Sequence, residues 1–127
     1  MLIFTASRPA AVSLVLTLPP SVNVIWNNVG GKYLKSLNYK HWQDAAGWEM
    51  TTQARARKLP GGFHALVTVP LKMRGDIDNR AKAVFDLLKK QGVIVDDKHL
   101  NRLGITRSES QKPGTMTVEL WNEEEGT

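Results

Sequence analysis

"GDIDNRAKAVFDLLKKQGVIVDD" (Gly75 to Asp97) carries a pair of aspartates at each end and a helical rhythm between them. Ile77, Ala81, Val84, Phe85 and Leu88 recur at i, i+4, i+7, i+8 and i+11, which is one apolar face of a helix. That spacing predicts a helix over about 79–91, stopped at Gly92, since glycine takes the left-handed backbone that ends helices. "VIV" (Val93 to Val95) then reads as a short buried strand leading into Asp96-Asp97.

Upstream, "FHALVTVPLK" (Phe63 to Lys72) follows the break "LPGG" and reads as a strand with Phe63, Ala65, Val67 and Val69 on one side. Before it, Tyr39, Trp42, Ala46 and Met50 fall near helical spacing, predicting a helix from about Leu37 to Lys58 that tolerates Gly47. "VSLVLTL" (Val12 to Leu18) alternates with Val12, Leu14, Leu16 and Leu18 inward, and Pro19-Pro20 ends it. "SVNVIWNNVGGKYLKS" (Ser21 to Ser36) reads as a loop or irregular hairpin. Downstream, "LNRLGITRSE" (Leu100 to Glu109) is a strand with Leu103 and Ile105 inward, "QKPG" a turn, and "TMTVELW" (Thr115 to Trp121) a last strand. The order predicts an α+β domain, a mixed sheet with helices packed on one side. The 127 residues fit a single domain over 1–127, with a lead-in at 1–11 and a frayed acidic tail at 122–127.

Composition narrows the function. Without cysteine, neither a disulfide framework nor a thiolate zinc site is possible. No apolar run approaches the ~20 residues of a membrane helix, and the start lacks the basic region of a secretion signal. A cytoplasmic protein with no membrane partner is expected. The net charge is +5, and outside Asp76, Asp78, Asp96 and Asp97 eight acidic residues oppose 17 basic ones. Such a field favours a polyanionic partner.

Asp76 and Asp78 bracket one position at a strand-to-helix junction. Aspartate caps helices, but only one residue can be the cap. Asp96-Asp97 could be a solvated turn. The two pairs mean more if the chain folds back after the helix and brings Asp97 to Asp76 and Asp78. Carboxylates ~4 Å apart repel by ~4 kcal/mol at an effective dielectric of 20, so something positive must compensate. Oxygen-only donors favour a hard cation such as Mg²⁺, with Mn²⁺ a substitute, and point to phosphoryl chemistry. Lys82 stands one helical turn beyond Asp78, where it could meet charge on a phosphate or simply form a surface ion pair.

The stretch "DIDNRAKAVFDLLKKQGVIVDD" resembles the signature of RusA-type Holliday junction resolvases, Mg²⁺-dependent endodeoxyribonucleases of bacteria and their phages. The pattern D-x-D-N-x-x-K-x-x-x-D-x-L, a glycine and a terminal D-D falls without a gap on Asp76, Asp78, Asn79, Lys82, Asp86, Leu88, Gly92, Asp96 and Asp97. "LPPSVN" (Leu18 to Asn23) and "GKYLKSLNYKHW" (Gly31 to Trp42) are similar to the family's entry motif and first-helix segment. The resemblance implies that Asp76, Asp78 and Asp97 bind the metal, that Lys82 is the functional lysine, and that Asp96 and Asn79 support them. It also implies a homodimer that nicks a four-way junction at two symmetry-related places. No organic cofactor is expected. "PLKMRGD" (Pro70 to Asp76) departs from the family pattern in being less basic than the run found in some relatives.

DNA needs a wider cradle. Lys32, Lys35 and Lys40, interleaved with Tyr33 and Tyr39, form one basic segment, and Lys72 with Arg74 leads into the aspartates. Arg55, Arg57 and Lys58 are either a further patch or a solvated helix end. Trp26, Trp42, Trp48 and Trp121 are expected in the core or a dimer contact, and His99 is the one histidine near the acidic pair. Two other readings stay open: a junction-binding homodimer without cleavage, and a metal hydrolase for other branched DNA or small phosphoesters.

Overall fold

Alternation along Val12–Thr17 (β1) buries Val12, Leu14 and Leu16 and exposes Ser13, Val15 and Thr17. The computed structural model describes residues 9–20, 26–29, 32–35, 37–55, 57–73 and 77–123, and of 26–29, 32–35 and 37 the backbone alone. The other elements are β2 (Trp26–Val29), β3 (Lys32–Lys35), α1 (Leu37–Ala54), β4 (Phe63–Pro70), α2 (Ile77–Lys90), β5 (Leu100–Ser108) and β6 (Thr115–Asn122). A short 3₁₀ turn, Asp97–His99, precedes β5. The fold is the expected α+β class: a mixed four-stranded sheet ordered β1-β6-β4-β5, a separate β2-β3 hairpin and two helices.

β6 pairs antiparallel with both β1 and β4, while β4 and β5 run parallel. Leu14 opposite Val118 and Val118 opposite Val67 continue one apolar row across the sheet. Both helices add to that core through Trp42, Ala46 and Met50 of α1 and Val84, Leu87 and Leu88 of α2. The central strand β4 also buries His64 and Leu66 on its second face, so the simple alternation read from its sequence is incomplete.

β1 is an edge strand, and α1 covers that edge. The Gln53 side chain accepts a 2.7 Å bond from the Val15 amide and donates a 2.7 Å bond to the Val15 carbonyl. Glu49 accepts from the Thr17 amide, and the Trp42 indole donates to the Thr17 carbonyl. An open strand edge invites pairing with another chain, and these side chains occupy it.

Several expectations need correction. α1 ends at Ala54 rather than Lys58, because Arg55 takes a left-handed backbone with φ 51°. α2 begins at Ile77, so Asp78 sits inside the first turn rather than before it. Val93–Val95 is no strand: after Gly92 (φ 79°) the chain makes a single bridge, Ile94 to Leu59. The Val93 amide bonds back to the Leu88 carbonyl, as at helix ends that turn through glycine. Leu103 is 43% exposed on the edge strand β5 instead of inward. Of the expected lead-in and tail, Ala11 bonds the Leu120 carbonyl, Asn122 lies in β6, and Glu123 meets Asn101 and His64, while 1–8 and 124–127 lie outside the described residues.

Candidate active site

β4, α2 and β5 form a parallel crossover, which fixes where the acidic residues can go. The short connection after β4 puts the start of α2 at the far end of the parallel strands, and the helix runs back against them. Its last turn then feeds the 3₁₀ turn and the beginning of β5. Asp78, in the first turn, and Asp97, beyond the last, therefore belong to opposite ends of α2 along the chain. The sequence-based picture had a strand carrying the chain back before Asp97; the bridge at Ile94 does not do so.

Both aspartates nevertheless line one cavity of about 320 Å³, together with Lys82. The one-turn spacing of Asp78 and Lys82 puts both on the groove side of the helix. Ala81 and Phe85 of α2 and Leu100, Leu103 and Ile105 of β5 complete the wall. The exposed Leu103 is part of this surface. The groove is thus an apolar trough with charged groups set into it.

At the Asp97 end the electrostatics are distinctive. Asp96 caps the 3₁₀ turn by accepting from the Lys98 amide at 3.1 Å, and the Lys89 ammonium lies 3.3 Å from its carboxylate. The Lys98 amide, a hydrogen bond from Asp97 and the Lys89 ammonium hold Asp96 at about 2. Asp97 is pushed the other way, by that same hydrogen bond with Asp96, by burial, and by the charges of Asp96 and Asp86, against a smaller pull from Lys89. In acid the pair shares one proton, kept by Asp97; ionised, it is a seat of concentrated negative charge. Asp86 had been matched to the signature without a role. It stands within electrostatic reach of both Asp97 and the buried Tyr39, whose hydroxyl is raised by burial and then by Asp86. Its spacing, two helical turns beyond Asp78, was the available signal.

Among the described residues, no three acidic or imidazole side chains are grouped closely enough to hold a metal. The expected third member, Asp76, lies outside the described residues, as does Arg74. The groups that are described fit a hard cation in kind: carboxylate oxygens, with no cysteine in the chain. Asn79 is engaged in contacts within the fold. His99 donates its backbone amide to the Asp96 carbonyl, so the turn holds it beside the pair.

The basic residues divide. Lys40 and Lys72 are exposed, as are Arg55, Arg57 and Lys58. Arg57 donates to the Ala11 carbonyl at 2.8 Å, which gives it a structural use. Tyr39 is buried and stacked on Trp42 at a ring separation of 5.6 Å, so it is a core residue and not part of a basic surface. Lys32, Tyr33 and Lys35 lie on β3, and their side chains are outside the described set. Trp42 and Trp121 are buried, Trp48 is 75% exposed, and Trp26 lies on β2.

The family model for the endodeoxyribonuclease RusA matches residues 17–120. A crossover junction endodeoxyribonuclease RusA of Aquifex aeolicus is 31% identical over 70 residues, covering 54% of this chain and 56% of the relative. A protein of the same name from Enterobacteria phage HK97 is 25% identical over 113 residues, covering 84% of this chain and 90% of the relative. The chain thus spans little more than half of the Aquifex protein and most of the phage one. The matched region runs from the end of β1 into β6 and takes in both ends of the α2–β5 groove, and on that ground the chain belongs to the RusA endodeoxyribonuclease family.

Proposed function

We propose that the chain is an Mg²⁺-dependent endodeoxyribonuclease that resolves four-way DNA junctions by paired, symmetrical nicks, acting as a homodimer in recombination and repair. The observation that carries this reading is the shared groove: Asp97 lines one cavity with Asp78 and Lys82, which lie on the preceding helix. The names borne by the relatives, crossover junction endodeoxyribonucleases, give the reaction class.

In this reading Asp76, Asp78 and Asp97 hold the cation, with Asp96 capping the turn that carries Asp97. The cation, when bound, activates the attacking water and neutralises the non-bridging phosphate oxygens. Lys82, facing the groove between the two acidic ends, meets the extra negative charge of the phosphate in the transition state. Departure of the 3′ oxygen leaves a 5′-phosphate and a 3′-hydroxyl. Lys32, Tyr33, Lys35, Lys40, Lys72 and Arg74 supply backbone contacts, whose strength falls with salt. A two-fold dimer suits a junction in which two strands of like polarity are cut.

The alternative is a junction-binding homodimer that does not cut. A synthetic four-way junction incubated with and without Mg²⁺ separates the two. The wild type should give paired nicks with the ion and none without, and Asp78→Asn should bind and not cut. Cutting by Asp78→Asn at the wild-type rate would remove the mechanism; Mg²⁺-independent binding with no nicking by the wild type would select the second reading.

A further inference from the structure

The two edges of the four-stranded sheet differ. Side chains of α1 occupy the β1 edge: Gln53 bonds both the amide and the carbonyl of Val15, while Glu49 and Trp42 bond the amide and the carbonyl of Thr17. At the other edge, β5 pairs with β4 along one side over its nine residues. From Arg102 to Thr106 its outer side has no partner among the described residues, neither another strand nor a side chain from another element. The one register shift falls earlier, at the step from Leu100 to Arg102. No proline or lysine interrupts 102–106, and Leu103 is 43% exposed there. An unprotected edge of this kind is a template for a further strand.

The residues along this edge suit a second copy of themselves. Side chains alternate between the faces of a strand, so an antiparallel pair must set residues of the same face opposite one another. In a two-fold pair that condition puts the axis through a residue. An axis at Arg102 sets arginine against arginine, and one at Ile105 sets Leu103 against Arg107. Axes at Leu103 and Thr106 set Ile105 against Asn101 and Arg107. An axis at the buried Gly104 sets Leu103 against Ile105 of the partner subunit and Arg102 against the partner's Thr106, each twice. No like charges then meet, and the exposed Leu103 gains an apolar cross-strand neighbour.

We propose that two chains pair antiparallel through β5, about a two-fold axis at Gly104, and so join their four-stranded sheets into one of eight strands. The proposal rests on the homodimer of the nuclease reading and names its interface. Leu103 and Ile105 line the cavity that also holds Asp78, Lys82 and Asp97, so the partner's Leu103 extends the apolar wall of that cavity. An axis perpendicular to the sheet keeps both cavities on one face, on either side of the seam, where a single junction meets the two of them.

The chain has no cysteine, so single substitutions carry the only thiols. Leu103→Cys and Ile105→Cys, expressed together and oxidised without DNA, should give a disulfide-linked species of twice the chain mass on a non-reducing gel. Directly opposed residues have Cα atoms about 5 Å apart, within disulfide reach. Leu103→Cys alone should not link, because its own copy lies diagonally across the seam at about 7–8 Å. Trp48→Cys, at a 75% exposed position on α1, measures linking by chance collision. If the first pair does not fold by circular dichroism, Arg102→Cys with Thr106→Cys reads the same register from the other face of the strand. Linking no greater than that of Trp48→Cys, or equal linking by Leu103→Cys alone, would overturn the proposal, and a wild type that still sediments as a dimer would leave the homodimer reading intact. A wild type that sediments as a monomer would overturn both.

Discussion

Replacing Asp97 by asparagine should have opposite effects with and without a divalent ion. Asp97 lies beside Asp96 and Asp86, and its carboxyl is raised by the first and by burial. A group raised in the folded state contributes stability below its ordinary value and loses that contribution as pH rises through the raised one. At neutral pH the ionised Asp97 therefore opposes folding. Asp96 has the reverse sign: its contribution is present above its ordinary value and is lost as pH falls through about 2. Without metal, Asp97→Asn should raise the melting temperature by ~1–3 °C, the modest gain typical of a relieved surface repulsion. With metal the order reverses. An ion at ten times its Kd stabilises the wild type by about 1.4 kcal/mol, which is ~3–6 °C for a chain of this size. Asp97→Asn should lose most of that increment, and the wild-type increment should fade as pH drops towards the raised carboxyl value, where a proton competes with the ion. Differential scanning fluorimetry with Mg²⁺ and EDTA reads both effects. Equal Mg²⁺ increments in wild type and variant would show that Asp97 is no ligand.

Other outcomes test the neighbouring claims. Lys82→Ala should lower the cleavage rate by ~10²–10³-fold with junction affinity in EDTA changed little, if its charge acts on the transition state; a loss of affinity without a loss of rate would make it a plain DNA contact. Gln53→Ala removes both bonds to the β1 edge at Val15 and should cost ~1–2 kcal/mol in urea unfolding, reduced from the full value of two hydrogen bonds because water replaces them. Unchanged stability would mean that water serves the edge as well as Gln53 does.

The elements with strong periodicity were the ones legible in the sequence. β1, β6 and α2 follow their apolar spacing because each buries one face, and the aspartate signature carried the family. The path between the ends of that signature was not legible. Val93–Val95 has the composition of a strand, but Gly92 turns the chain so tightly that only Ile94 reaches a partner, and Asp97 enters the groove from the far end of α2. Tyr39 looked like part of a basic surface because it lies between lysines; its helical phase, which puts it on the face of Trp42, was the better guide. Asp86 acts on Asp97 from another element, and only its spacing from Asp78 hints at that in the sequence.

In the proposed mechanism Asp78 and Asp97, which line one cavity, serve one bound cation. Fe²⁺ substituted for Mg²⁺ and treated with ascorbate and peroxide releases hydroxyl radical at the bound ion, and the radical cuts nearby backbone. The account predicts two cut segments of comparable yield, one around Asp78 and one around Asp97, both suppressed by excess Mg²⁺ and both lost in Asp78→Asn. Cutting confined to one of the two segments would contradict it.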